Sequence, residues 1–541
     1  MDIDIDPVIL PPWSINPAEG NGPVPALGDL LATPALRWPD RTAVSDGDRS
    51  HTFAELERGA RTVAAWLAGQ GITAKDRVVV LTEKRAVMPL LAVAVWKCAA
   101  VYVPLDATEP TARLRALITR LAPAAVITLD RMNPGIPVGR LLLDGERLAA
   151  LLSGPATDHT TVAHRPDEAA YIVFASSSTG EPQGVEVDVG SLIAYFRSHN
   201  QVLRFTSKSR VLSLSPFHVD VSLEDTLLPL SLGAYVFQFR NLPAGAVMRA
   251  VLGRERITHL VAVSMLLAMI TGDGRQLSRA KFPDLQTVMT GAQVCDPAVV
   301  RIWREQLPQT RFLHAYGPPE ATIFSVTREI DQVDDDLATA RLIGCPLPGM
   351  TAKIMRDGNE LSRPGTEGEL WIGGRQVMRG YFDRPEETAR LVVDLAGTRF
   401  FRTGDICSYA ADGQLVFHRH DDDEVAWLNG RRTHLSEVRR AALDCPGVEG
   451  VLAGVVRRTD RPLIALVVMS NHAQALADAE KHMRAVLPDY MRPTVLAWQP
   501  TGSTASIDIK KRDLVDRVRT AVEQSNSNHF AISADGTVEP I

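Results

Sequence analysis

From Asp29 onward the chain alternates strand-like and helix-like text, and few folds tolerate that rhythm. HTFAELERGARTVAAWLAGQG, His51 to Gly71, spaces its apolar residues at helical intervals and stops at a glycine. DRVVVLTE follows as a buried strand. A second helix, from about Arg85 to Ala99, leads into AVYVPLD, another strand ending in a proline-containing turn. Strands separated by helices pair in parallel, because the crossover helix returns the chain to the same end of the sheet. The fold class is therefore α/β. From Gly344 to Phe417 the periods shorten, and Gly, Pro and Asp turns separate runs such as GELWIGG and GQLVFHR. That stretch is antiparallel β in character.

The charged break His418-Arg-His-Asp-Asp-Asp-Glu424 marks a linker. The expected organisation is an arm over 1–28, a core domain over 29–419, a hinge at 420–424 and an α+β lid over 425–520. A tail over 521–541 carries little apolar text to bury and is expected to be disordered. Asp plus Glu number 64 against 58 Lys plus Arg, a net charge of −6. That balance excludes nucleic acid and anionic membrane as expected partners. The five cysteines form no CxxC pair, and the acidic N-terminus is not a secretory signal. The longest apolar stretches, Pro89 to Trp96 and Leu260 to Ile270, fall short of the roughly 18–20 residues a membrane span needs. A cytoplasmic location is expected.

The most informative segment is YIVFASSSTGEPQGVEV, Tyr171 to Val187. An apolar strand runs into Ser176, Ser177, Ser178 and Thr179, followed by Gly180. Four consecutive hydroxyls before a glycine suit a polyphosphate, since backbone N–H groups and Oγ atoms both donate to phosphate oxygens. The Walker sequence is absent, because no GK[ST] ends the loop. The segment resembles the signature loop of the adenylate-forming superfamily: acyl-CoA synthetases, luciferases and the adenylation domains of non-ribosomal peptide synthetases. The resemblance extends, in order, over about residues 30–515 through AVYVPLDATEPTARL, HAYGPPEAT, GELWIGGRQVMRGYFDRPEETARL, FRTGDI and LPDYMRP. PLDATEPTARL and YGPPEAT lean toward the amino-acid-activating branch.

The resemblance implies a large core of mixed α/β subdomains with a small β-barrel-like subdomain, and a mobile α+β lid. It implies ATP and Mg²⁺ as cofactors and an aminoacyl-AMP as product. Ser176 to Gly180 would hold the β- and γ-phosphates, Glu320 the Mg²⁺, and Thr322 would lie near the α-phosphate. Tyr316 and Gly317 would flank the adenine, with Gly291, Ala292 and Ala315 also against the nucleotide. Asp405 would accept both ribose hydroxyls. Counting thirteen residues back from Gly233 places Asp220 on the acid that binds a substrate α-ammonium, with a helix N-cap as the alternative. In that register Val221, Glu224, Met289, Gly291, Ala315, Ile323 and Phe324 would line the side-chain pocket. Glu224, as an acid facing the cavity, suggests a basic amino acid; its alternative is a solvent-facing side chain.

Three departures bear on activity. Gln183 stands where relatives carry the loop lysine. In the hinge, Asp422 falls on the family acid, His420 on an arginine and Ala426 on a lysine, with Arg419 replacing the arginine after a one-residue slip. Asp508 falls on the C-terminal catalytic lysine, and a two-residue slip would offer Lys510 from the same strand face. The first expectation is a stand-alone activating ligase, because no carrier domain follows residue 541. Its acyl group would pass to a separate phosphopantetheinyl carrier protein or an amine, and a small activator protein is a further possible partner. The alternatives are a repurposed relative that keeps the fold as a binding or scaffold module, and a sister enzyme acting on a preformed activated acyl group.

Overall fold

The computed structural model describes residues 26–130, 135–137, 139–177, 179–240, 243–291, 296–331, 341–422, 424–428, 431–458, 461–501, 511–525, 527–533 and 537–541. The chain is α/β as the alternation requires. The helix Phe53–Gly69 starts where Thr52 and Glu55 cap each other reciprocally, satisfying two backbone donors left over at a helix N-terminus. The helix Met88–Lys97, apolar on every side, is buried throughout. One sheet runs in the order Gly380–Tyr381, Gln183–Asp188, Ala169–Ala175, Val101–Leu105, Arg77–Leu81, Ala125–Thr128 and Leu141–Leu143. Its middle is parallel: Val79 pairs with Val103 on one side and Val126 on the other. Ala169–Ala175 instead pairs antiparallel with Gln183–Asp188, so the hydroxyl-rich loop closes a hairpin.

The larger sheet sets the parallel strands Arg210–Ser213, His259–Val263, Thr287–Gly291 and Arg311–Tyr316 side by side. Its direction reverses at Val326–Glu329, antiparallel to Arg311–Tyr316. Beyond lie Leu342–Pro346, Leu415–His420, Thr398–Tyr409, Gly368–Gly374, Met350–Arg356 and Asn359–Leu361. The barrel-like subdomain expected here is corrected to an open arrangement. Leu342–Pro346 pairs with Val326–Glu329 on one side and Leu415–His420 on the other, so the antiparallel strands extend the large sheet instead of closing on themselves.

The C-terminal region begins with the hairpin Val425–Leu428 and Arg431–His434, followed by the helix Leu435–Leu443. Its sheet runs Gly450–Arg458, Arg461–Ser470, Val495–Pro500, His529–Ile532 and Val538–Pro540. The expected disordered tail is therefore a correction. The helix Lys511–Gln524 continues past 521, and two strands follow it into the sheet. Phe530 and Ile532, two residues apart on one strand face, are buried against Val456, Val495 and Leu514. Two well-placed apolar residues suffice to dock a strand whose surroundings are polar. At the other end Leu27, assigned to the arm, is buried in the main core. Among the described residues no helix is long and apolar enough to cross a membrane.

Candidate active site

The loop after Ala169–Ala175 is tied down by its own hydroxyls. Ser177 Oγ donates to the Glu181 carbonyl at 2.7 Å and lies 2.8 Å from Thr179 Oγ1, while Gly180 turns at φ +75°. Ser178 lies outside the described residues. The C-terminal region closes onto this loop. Ser176 Oγ donates to the Arg432 carbonyl at 2.8 Å and accepts from the His434 N–H at 3.1 Å. Ser436 Oγ donates to the Ser177 carbonyl at 2.8 Å. Ion pairs border the contact: Glu181 binds Arg384 at 2.6 Å and Arg440 at 2.9 Å, and Arg113 bridges Glu109 and Glu437.

Arg311–Tyr316 and Thr287–Gly291 deliver the rest of the site at their carboxyl ends, where α/β sheets place ligands. After Tyr316 a short 3₁₀ turn, Pro319–Ala321, carries Glu320, and Thr322 and Ile323 follow with φ of +58° and +68°. Two consecutive non-glycine residues in the left-handed region are costly and need surrounding contacts to hold them. Thr322 Oγ1 supplies one by donating to the Gln376 carbonyl at 2.5 Å. Gly317 supplies another by close approach: a Cβ there would meet Ile323 O at 2.5 Å and Phe324 Cα at 2.5 Å. Glu320 is buried, and its Oε1 accepts from the Tyr381 hydroxyl at 2.8 Å. Its Oε2 is buried without a partner. A buried carboxylate oxygen without a hydrogen-bond partner suits a hard cation such as Mg²⁺.

Asp405 accepts the Tyr316 hydroxyl on Oδ2 and His420 Nδ1 on Oδ1, the latter at 2.6 Å. Each oxygen keeps a second lone pair for a ribose hydroxyl. Arg419, expected at the nucleotide, is corrected. It points the opposite way and pairs with Glu367 at 2.9 Å, because neighbouring strand residues face opposite sides. His420, registered opposite Asp405, takes the place Arg419 was given.

Arg432 joins these parts. Its carbonyl receives Ser176, while its guanidinium feels the Glu320 and Asp405 carboxylates. Burial works against that charge, but the two acids, with Tyr381 and Tyr316, outweigh it and raise the pKa above the usual arginine value. The loop, Glu320 and Asp405 therefore border one cleft. Arg432 and Tyr381 were not singled out from sequence as parts of it, whereas His420 had been placed on the family arginine of the hinge. Tyr381 sits inside the quoted GYFDRPEETARL box, whereas Arg432 lies in a hairpin distant in sequence from its partners.

Asp220 is buried beside this cleft. Its Oδ1 accepts the Val221 N–H at 3.0 Å, and its Oδ2 has no partner. Burial, reinforced by the charge of Glu320, raises its pKa to about 7. Met289, Gly291, Ala315, Ile323 and Phe324 are buried together, and Val221 is partly buried. A Cβ on Gly291 would meet the Ala315 carbonyl at 2.6 Å and the Phe324 ring at 2.8 Å, so these residues form one apolar wall. Glu224 is fully buried in a π-helical turn, Leu223–Leu227, which excludes the solvent-facing alternative. Its Oε2 accepts from the Tyr195 hydroxyl and lies 2.8 Å from His199 Nδ1. Ala292, Asp508 and Lys510 lie outside the described residues.

Two sheet-based layers, a hydroxyl loop closed by a C-terminal region, and acids suited to a metal and a ribose define an adenylate-forming protein. The family model described as AMP-binding enzyme matches residues 31–382, and the chain belongs to that family. Phosphinothricin tripeptide synthetase PhsC of Streptomyces viridochromogenes is 32% identical over 502 residues, covering 89% of this chain and 44% of that protein. Chondramide synthase cmdD of Chondromyces crocatus is 30% identical over 512 residues, covering 91% of this chain and 13% of that protein. The chain thus spans less than half the length of these two relatives. Among solved structures, NpsA-ThdA, an artificially fused adenylation-PCP di-domain from Klebsiella oxytoca, aligns with a TM-score of 0.77 at 20% identity. That alignment covers 90% of this chain and 96% of the other, and at this identity it shows the shared fold.

Proposed function

We propose that this chain is an ATP-dependent amino-acid-activating ligase. The substrate carboxylate oxygen attacks the α-phosphorus of ATP. A new P–O bond forms as the bond from that phosphorus to the α,β-bridging oxygen breaks, and pyrophosphate leaves. Catalysis of this kind is mainly alignment and neutralisation of charge. The supporting observation is the cleft around Arg432, whose carbonyl holds Ser176 and whose partly buried guanidinium lies under the influence of Glu320 and Asp405. Asp405 would take the ribose hydroxyls, Tyr316 and Gly317 would border the adenine, and Asp220 would hold the substrate α-ammonium. When bound at Glu320 Oε2, Mg²⁺ would neutralise phosphate charge. Arg432 brings a cation to a cleft where the neutral Gln183 begins the strand after the loop. The segment 420–424 acts as the pivot of the C-terminal lid, with Asp422 held by His434 at 2.8 Å. The aminoacyl group passes to a separate phosphopantetheinyl carrier protein or to an amine, and a small activator protein is a further partner.

Exchange of labelled pyrophosphate into ATP, dependent on added amino acid, tests this function. Signal with at least one amino acid is the expected result. Absence of exchange across the panel, with ATP still bound, would instead favour a repurposed binding protein. One observation favours that second reading: the Ser176 hydroxyl, expected to face phosphate, is engaged by Arg432 and His434 of the lid.

A further inference from the structure

We propose that Arg120, Arg384 and Arg440 form a product subsite that receives pyrophosphate as it leaves the hydroxyl loop, with the Glu181 carboxylate occupying that subsite until then. The assignment rests on the ligase function proposed above and concerns its leaving group. The arginines come from three separate elements: Arg120 from the helix Thr111–Leu121, Arg384 from the N-cap of the helix Pro385–Leu391, and Arg440 from the C-terminal helix Leu435–Leu443. They converge on the residues that follow the hydroxyl run. A Cβ on Gly180 would meet Arg440 Cδ at 3.2 Å, and Arg120 Nη2 donates to the Pro182 carbonyl at 2.7 Å. Between those contacts the Glu181 carboxylate lies 2.6 Å from Arg384, 2.9 Å from Arg440 and 3.9 Å from Arg120.

Charge in this cluster is unbalanced. One carboxylate faces three guanidinium groups, and Asp383 adds a second negative charge near Arg120. Burial and the charge of Arg384 lower the Arg120 pKa in spite of both acids. Burial opposes ionisation of Glu181, but Arg440, Arg384 and Arg120 outweigh it and lower its pKa. Arg120 Nε is buried without a partner, and the guanidinium lies over the Phe174 ring, 5.5 Å from its centroid, which limits its motion. The Arg384 and Arg440 side chains remain 39% and 49% exposed, so an anion can reach them from solvent.

Pyrophosphate answers this arrangement better than a carboxylate does. It carries several negative charges and several terminal oxygens, where Glu181 offers a single charge. Planar guanidinium forks bind phosphate oxygens in pairs, and such charge-assisted bonds are stronger than neutral ones. The route is short, because the loop that would hold the β- and γ-phosphates runs directly into Glu181 and Pro182, where the arginines make contact. Arrival of the anion displaces Glu181 from Arg384 and Arg440. Arg440 belongs to the C-terminal region, so the displacement also removes an ion pair that ties this region to the loop.

Calorimetric titration of the full chain with sodium pyrophosphate at low ionic strength, together with the pyrophosphate KM of the exchange reaction, tests the subsite. Arg120→Gln and Arg440→Gln should each weaken pyrophosphate by about threefold or more, a larger change than in the KM for ATP. Glu181→Gln should act in the opposite direction and tighten pyrophosphate by about threefold, because the internal competitor is neutralised. Added sodium chloride should weaken binding to the wild type more than to Arg440→Gln. Thermal melts report whether each variant is folded. Unchanged or weaker pyrophosphate binding in folded Glu181→Gln would overturn the subsite, as would arginine variants whose losses for ATP and pyrophosphate are equal. Those outcomes leave amino-acid-dependent exchange, and with it the ligase reading, standing. Arginine-dependent pyrophosphate binding by a chain that shows no exchange with any amino acid would keep the pyrophosphate subsite and reject the ligase.

Discussion

With Asp220 as the proposed ammonium site, amino-acid binding should depend on pH by an amount that follows from its surroundings. Its pKa is raised to about 7, chiefly by burial and further by the nearby Glu320 charge. The free protein therefore holds Asp220 mostly protonated below that pH. A substrate ammonium requires the carboxylate, so binding must expel the proton, and affinity falls as pH drops. The competent fraction is about one in eleven at pH 6 and about ten in eleven at pH 8. The dissociation constant for the amino acid should accordingly rise about tenfold, or ~1.4 kcal/mol, between pH 8 and pH 6. Calorimetric titration across that range measures it, and proton release can be read from the buffer dependence of the enthalpy. Asp220→Asn should bind about 30-fold or more weakly, since a desolvated charge pair is lost. Its profile should also flatten, which separates Asp220 from titration of the substrate itself. A wild-type affinity constant within about twofold from pH 6 to pH 8 would refute the assignment, as would an unchanged tenfold slope in Asp220→Asn.

Other perturbations probe the remaining parts. Arg432→Met removes a partly buried cation that the Glu320 and Asp405 carboxylates stabilise, and should loosen the contact between the C-terminal region and the loop. That loss should appear as increased proteolytic access to the 420–424 segment, because the C-terminal region releases the loop. Gly317→Ala forces a methyl into the backbone of Ile323 and Phe324 and should destabilise the protein by about 1–3 kcal/mol. Chemical denaturation checks it, and a midpoint shift near zero would show that the 320–325 turn yields freely.

Much of the site was legible because its residues lie in short boxes at strand ends. The run from Tyr171 into Ser176 announces a strand delivering a loop, and the structure holds that hairpin. Asp405 was readable for the same reason. Arg419 was misplaced by a single residue, and in a strand that slip reverses the side-chain direction. Arg432 could not be found locally, since its carboxylate partners lie 112 and 27 residues away in sequence (432 minus 320, 432 minus 405) and meet it only when the C-terminal region closes. Glu224 was expected as an acid facing the side-chain pocket; its hydrogen-bond partners sit on another helix, and no sequence signal links them to it. The tail was misjudged because average polarity hid the alternation of Phe530 and Ile532.

A crystal structure with a non-hydrolysable ATP analogue and Mg²⁺ tests the shared cleft most directly. The metal should lie on Glu320 Oε2, the ribose hydroxyls on Asp405 and the phosphates along Ser176 to Gly180. Nucleotide bound elsewhere, with Glu320 and Asp405 unchanged and Arg432 still between them, would contradict it.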